Sequence, residues 1–232
     1  RQRQMCIRDR AHAENKEVLK IGTFNLRMDT PSDGDDSWSH RKGMVKDLLR
    51  FVDYDLFGTQ EGFSHQLNDI LELGIYKYIG AGRDDGKDAG EHSAIFYRAD
   101  RFKVLEQGNF WLSETPDKPG LGWDATCCNR ICSWGKFEDM KSGKQFYFFN
   151  VHFDHEGVVA RRESSYLMMD RIKSIAGDMP VFLTGDFNAF PIDEPIQILD
   201  KSGFLKDAYK ITKEPPFGPV CTSVSYTHLT LP

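Results

Sequence analysis

Apolar positions along this chain switch repeatedly between a period of two and a period near 3.6. The run VLKIGTFNL at 18–26 is apolar and β-rich and predicts a strand. From Trp38 to Val52, apolar Met44, Val45, Leu48, Leu49 and Val52 recur near helical spacing, which predicts a helix. Residues 55–61 (DLFGTQE) predict a short buried strand, and Ser64 can cap a helix running to about Leu73 before Gly74. Four β-type runs follow: YKYIGAGR, HSAIFYRADRFKVLEQGNFWLS, RICSWGKFED and KQFYFFNVHFD, with Gly143 in a hairpin turn between the last two. A helix of about five turns is predicted over 157–176. The apolar run PVFLTGDFN at 180–188 then predicts a central strand of a doubly covered sheet. A short helix follows Asp193, and beyond it the pattern fades.

Strands alternating with helices predict an α/β sandwich built as one domain. Segments 33–36 and 83–91 are rich in turn formers and read as surface loops. No apolar run reaches the roughly 20 residues of a membrane helix. The two ends do not continue these patterns. RQRQMCIRDR at 1–10 and the terminal SVSYTHLTLP resemble translated sequencing adapter, so 1–10 and 222–232 are read as non-native and the domain as 14–219. Ala11-His12-Ala13 is a small-x-small pattern like a signal-peptidase site. Export with the leader lost is therefore the expectation, with a cytoplasmic location as the alternative.

Charge changes the picture only once the ends are set aside. The chain carries −5 in all; residues 1–10 contribute +3, which leaves −8 for 11–232. An acidic protein is a poor indiscriminate binder of polyanions, although a metal ion can still bring a phosphodiester to it. Of five cysteines, Cys127, Cys128 and Cys132 form a cluster whose spacing fits no zinc pattern. Buried thiols or one local disulfide are expected there.

Candidate chemistry gathers at strand ends. Thr23-Phe24-Asn25, Thr59-Gln60-Glu61, the segment Asn150–His155 and Gly185-Asp186-Phe187-Asn188 each close a predicted strand. In a sheet covered on both faces, strand ends are where loops converge on a site. Apolar strands that end in Asn, Glu, His and Asp need partners for those groups, and a divalent cation with a phosphate would supply them. Each residue also has a bland reading: Asn25 as a turn cap, Glu61 as an exposed strand end, His152 as a satisfied core histidine, Asp186 and Asn188 as caps of the next helix.

In this order the four segments resemble the endonuclease/exonuclease/phosphatase superfamily, over about residues 18–215 and closest to an uncharacterised bacterial branch. The resemblance implies a DNase I-like four-layer α/β sandwich, two mixed sheets with helices outside, incomplete at its C-terminus. It implies a Mg2+- or Mn2+-dependent phosphoesterase using in-line water attack. Glu61 and Asn25 would hold the metal, with His152, Asp186 and Asn188 as catalytic residues. Arg130, Asp154, His155 and Arg161 would bind the substrate, the two arginines as secondary phosphate contacts. The substrate class stays open among nucleic acid, nucleotide, lipid headgroup and inositol phosphate, and a monomer is expected. The family also ends in a Ser-Asp-His motif, and nothing here matches it. His228 falls in the non-native end, so this chain is expected to be inactive alone. Two alternatives remain: a non-catalytic binder of phosphorylated ligands and a two-carboxylate glycosidase.

Overall fold

A computed structural model describes residues 18–215. The first sheet contains β1 (Ile21–Asn25), β2 (Leu56–Gln60), β3 (Tyr76–Ile79) and β4 (Ile95–Arg98), in the order β1-β2-β4-β3. The second contains β5 (Phe102–Trp111), β6 (Ile131–Asp139), β7 (Gln145–His152) and β8 (Val181–Asp186), in sequence order. Each sheet holds one parallel pair, β1 with β2 and β7 with β8, and is otherwise antiparallel. The sheets pack with β1 and β2 against β7 and β8.

Three apolar clusters make four layers. Leu56, Ile79, Ile95, Phe102, Phe137, Phe146 and Phe148 fill the space between the sheets. Helices α1 (Trp38–Val52) and α2 (Ser64–Leu71) cover the outer face of the first sheet through Trp38, Leu49, Leu67 and Ile70 on Phe57 and Phe96. Helices α3 (Val158–Ala176) and α4 (Glu194–Asp200) cover the second through Met168, Ile172 and Leu199. One further turn, α5 (Ala208–Ile211), ends the described chain. This is the expected DNase I-like layering. Among the described residues, no helix is long and apolar enough to cross a membrane.

Three sequence expectations are corrected. The run at 92–113 is two strands: it turns at Ala99–Arg101 and passes from the first sheet into the second. Residues 31–36 form a short 3-10 helix, interrupted at Gly34, where φ is +52°. Strand β8 is not central among the described residues. It pairs only with β7, and all six of its residues are half-buried. Its apolar run reflects the two faces it packs against, not a neighbour on each edge.

One polar group lies at the centre of the apolar interface. Asn150 of β7 is fully buried and spans the gap between the sheets. Its Oδ1 accepts from Gln60 Nε2 (2.8 Å) and Thr184 Oγ1 (3.0 Å). Its Nδ2 donates to the carbonyls of Thr59 (2.8 Å) and Ala94 (3.0 Å). Gly58 makes room for it, since a Cβ there would lie 2.2 Å from Asn150 Oδ1. Asn150, the strut between the sheets, stands two residues before His152 on β7, and its β2 partners Thr59 and Gln60 directly precede Glu61.

Candidate active site

Within each parallel pair the C-terminal ends lie at the same rim, and the packing of β1 and β2 on β7 and β8 brings the two rims together. Asn25 joins them. Its Nδ2 donates to Glu61 Oε1 (2.8 Å) and to Asp186 Oδ2 (2.9 Å), while its Oδ1 accepts from the Arg27 amide (2.8 Å). Glu61 Oε2 accepts from the Met28 amide (3.1 Å). Two carboxylates from different sheets thus share a single amide nitrogen. Ligating atoms of Glu61, His152 and Asp186 all lie within 4.8 Å of one another.

Asp186 Oδ1 accepts from the Asn188 amide (3.0 Å). Asn188 Nδ2 lies 3.0 Å from the Phe153 carbonyl and 3.2 Å from His152 Nε2. An Asn188 amide that donates to both makes Nε2 an acceptor and leaves the imidazole proton on Nδ1, which faces Glu91 Oε2 at 3.8 Å. Arg130 Nη1 stands 3.3 Å from Nδ1 and 3.5 Å from Nε2, so it cannot lie along both lone pairs and acts on the ring by its charge. Burial, then the Arg130 charge, pushes the His152 imidazole down to about 4, so it is neutral at physiological pH. Glu61 (φ +63°) and Asn188 (φ +45°) both sit in the left-handed region. Such backbone in non-glycine residues costs on the order of 1–3 kcal/mol and concentrates at functional sites.

All the sequence-selected residues occupy this rim, in different capacities. Asn25, expected to help hold the metal, turns a nitrogen to the carboxylates, and its oxygen accepts from the Arg27 amide. Asp154 is buried, not open to a substrate. Its Oδ1 accepts from the amides of Glu156 (2.9 Å) and Gly157 (2.6 Å), and its Oδ2 from Arg130 Nε (3.2 Å). Burial raises its carboxyl, but the Gly157 and Glu156 amides and Arg130 outweigh that and hold it below the usual range. Arg161 braces the same turn by donating to the Asp154 carbonyl (3.1 Å). His155 is half-exposed, and its Nδ1 accepts from Arg130 Nη2 (2.7 Å). Arg130 is thus the buried cation that ties His152, Asp154 and His155 together. His228, Cys6 and Cys221 lie outside the described residues.

The sequence reading missed Arg83 and Glu91. They are the two ends of the loop read as solvent-exposed, and they pair at 2.7 Å beside His152. Burial raises the Glu91 carboxyl; Arg83 opposes this and the Glu61 charge adds to it. With His92, Ser93, Arg130, Ile131 and His152, the pair lines a small recess next to the three-residue cluster.

Residues 22–230 match the family model described as Endonuclease/Exonuclease/phosphatase family. The chain belongs to that family. Among solved structures, an endonuclease/exonuclease/phosphatase family protein of Bacteroides thetaiotaomicron is 48% identical. Its TM-score is 0.80, and the match covers 83% of this chain and 71% of that one. A mannosyl-6-phosphatase of the same organism is 46% identical with a TM-score of 0.81, covering 83% and 74%. The human nocturnin catalytic domain, 19% identical with a TM-score of 0.69, shares the fold, the match covering 85% of this chain and 77% of it. A curated uncharacterised protein of Acanthamoeba polyphaga mimivirus is 29% identical over 159 residues, 65% of this chain, and the match spans 59% of that relative's length.

Enzymes of this family generally use divalent metals, and the residues here fit one. Opposed ligands around Mg2+ stand about 4.2 Å apart, twice the roughly 2.1 Å bond length, so donors within 4.8 Å close on one ion with a small movement. Glu61 and Asp186 are the hard-oxygen donors such an ion prefers, and the groups that hydrogen-bond to them are all neutral amides. His152, with a softer nitrogen, stands beside them.

Proposed function

We propose that this chain carries the site of a divalent-metal-dependent phosphoesterase whose first substrate class is a sugar phosphomonoester. The observation that carries the reading is the convergence of Glu61, Asp186 and His152 from two sheets within 4.8 Å. The family supports phosphoester hydrolysis, and the 46%-identical mannosyl-6-phosphatase supports a phosphorylated sugar. The acidic charge outside residues 1–10 favours a small substrate over a polyanion. The carboxylate oxygens of Glu61 and Asp186 are closer than the roughly 5–9.5 Å between the carboxyl pairs of glycosidases, which disfavours that alternative.

In this reading Glu61 and Asp186 would hold Mg2+ or Mn2+, which would supply charge neutralisation at the phosphoryl group. Asp186 accepts a hydrogen bond from the attacking water, and Asn188 positions that water. Asn25 keeps the two carboxylates at their spacing. His152, neutral because it is buried beside Arg130, has one proton to offer a phosphoryl oxygen, the Nδ1–H on the Glu91 side of the ring, and carries no charge of its own. Arg130 and His155 supply the remaining polar contacts to phosphate.

The test assays this chain and a chimera that takes its C-terminal segment from the mannosyl-6-phosphatase relative. Both are assayed on mannose 6-phosphate and bis(p-nitrophenyl) phosphate with Mg2+ or Mn2+. The more active of the two should release phosphate from the monoester in a metal-dependent way, and Glu61→Gln in it should lower turnover about 100-fold or more. Metal-independent turnover, or full activity in the Glu61 variant, would remove this reading.

A further inference from the structure

The 19 residues between β5 and β6 enter the proposed chemistry only through Arg130, yet the segment before it is unusually built. Cys127 and Cys128 are adjacent and joined by a disulfide. The segment is pinned on both sides. Upstream, Asp124 accepts from the amides of Val159 (3.0 Å) and Ala160 (2.6 Å) at the start of α3, and Thr126 Oγ1 donates to Glu156. Downstream, Asn129 Nδ2 donates to the Arg83 carbonyl (3.4 Å), and Arg130 follows with its contacts to His152, Asp154 and His155. The cysteine pair lies between the anchors, two residues from the guanidinium at the centre.

A disulfide usually stabilises by closing a long loop in the unfolded chain, and the benefit grows with loop length. Neighbouring cysteines close the shortest loop possible. This bond therefore restrains the local backbone and does not staple the fold. It is also within reach of other thiols: Cys127 is exposed and Cys128 half-buried. Exposed disulfides are the ones that exchange. Cys132, the remaining described cysteine, is fully buried and its thiol faces the Ser133 carbonyl, so it does not take part.

We propose that Cys127 and Cys128 form a thiol–disulfide exchange site for dithiol reductants, and that its oxidation state sets how firmly residues 126–130 present Arg130. The thiolate of the reductant attacks Cys127 Sγ, giving a mixed disulfide and releasing Cys128 as a thiolate. The second thiol of the reductant then displaces Cys127. Two electrons and two protons pass to the protein, and the reductant leaves as its own cyclic disulfide. With the bond open, two residues regain independent torsions between anchors that stay in place. The importance of Arg130 to substrate rests on the proposed function, but the exchange chemistry does not.

The experiment uses the full chain and no substrate, so its failure is separable from failure of the phosphoesterase reading. The protein is oxidised with diamide or reduced with dithiothreitol, alkylated while folded, and mapped by peptide mass. Cys127 and Cys128 should be alkylated only after reduction. Hydrogen exchange should rise several-fold over 126–130 on reduction, while amides of β7 stay protected. The variant carrying C127S and C128S should show the fast exchange with and without reductant. Alkylation of both cysteines in the oxidised protein would overturn the proposal. So would unchanged exchange over 126–130, or loss of protection in β7, since the bond would then be idle or a staple of the whole fold.

Discussion

Replacing Asn150 with Ala tests whether the two sheets, and hence the two halves of the site, are held in register by one buried amide. The side chain is fully buried and makes four hydrogen bonds, two as acceptor and two as donor. Truncation takes a partner from each group, but three keep another. Gln60 Nε2 still reaches Thr23 Oγ1, Thr184 Oγ1 still faces the Phe149 carbonyl, and the Ala94 carbonyl still accepts from the Thr59 amide. The cost is therefore well below four full desolvation penalties. At about 1 kcal/mol per net hydrogen bond, with a small void added, a loss of about 3 kcal/mol is expected. Urea denaturation followed by tryptophan fluorescence, with the slope unchanged, measures it.

Asn150→Asp sharpens the test, because it keeps the shape and the acceptor but points a carboxylate oxygen at two carbonyls. At pH 7 it should be less stable than Asn150→Ala. The buried carboxyl would have a folded-state pKa raised above the unfolded value of about 3.9, so the variant gains stability as pH falls through that raised pKa. A loss below about 1 kcal/mol for Asn150→Ala, or an Asp variant as stable as the parent at pH 7, would refute the strut.

Three further outcomes follow from the same coordinates. Gly58→Ala puts a Cβ 2.2 Å from Asn150 Oδ1 and 2.5 Å from Thr184 Oγ1, and should cost about 2 kcal/mol or more in the same denaturation assay. In the metal-free protein, the His152 ring should titrate by nitrogen NMR near 4. Its neutral form then contributes stability above pH 6.5 that is lost as pH falls from 6.5 towards 4, and a midpoint near 6.5 would contradict the burial argument. Asp124→Ala should destabilise the start of α3, read as faster amide exchange at Val159 and Ala160. Burial raises the Asp124 carboxyl, but those two amides outweigh it and hold it low, so the difference from the parent should vanish as pH falls below the carboxylate range.

Much of the candidate site was legible because its signal is local. Glu61, His152, Asp186 and Asn188 each follow an apolar run, and a strand that ends in a charge or an amide shows that pattern in the sequence itself. The helices over 38–52 and 158–176 were legible for the same reason, since a buried face repeats within the segment. Position within a sheet is not local. The apolar run of β8 reads the same whether it has one paired neighbour or two, because its composition reports its faces and not its edges.

The residues that were missed have in common that their role comes from a distant partner. Residues 83–91 carry the turn-forming signal of a surface loop, yet Arg83 and Glu91 at its two ends pair with each other and line the recess of His152. Asp154 and Arg161, expected to bind the substrate, are engaged within the protein, satisfying a turn and holding Arg130. In each case the residue type fitted the expected chemistry, and only the geometry showed which groups already had partners. Charge alone therefore over-assigns residues to the substrate. Among the groups whose protein contacts leave lone pairs or protons unused are the Glu61 and Asp186 carboxylates, each with further lone pairs after its amide partners are counted, and the half-exposed His155 ring.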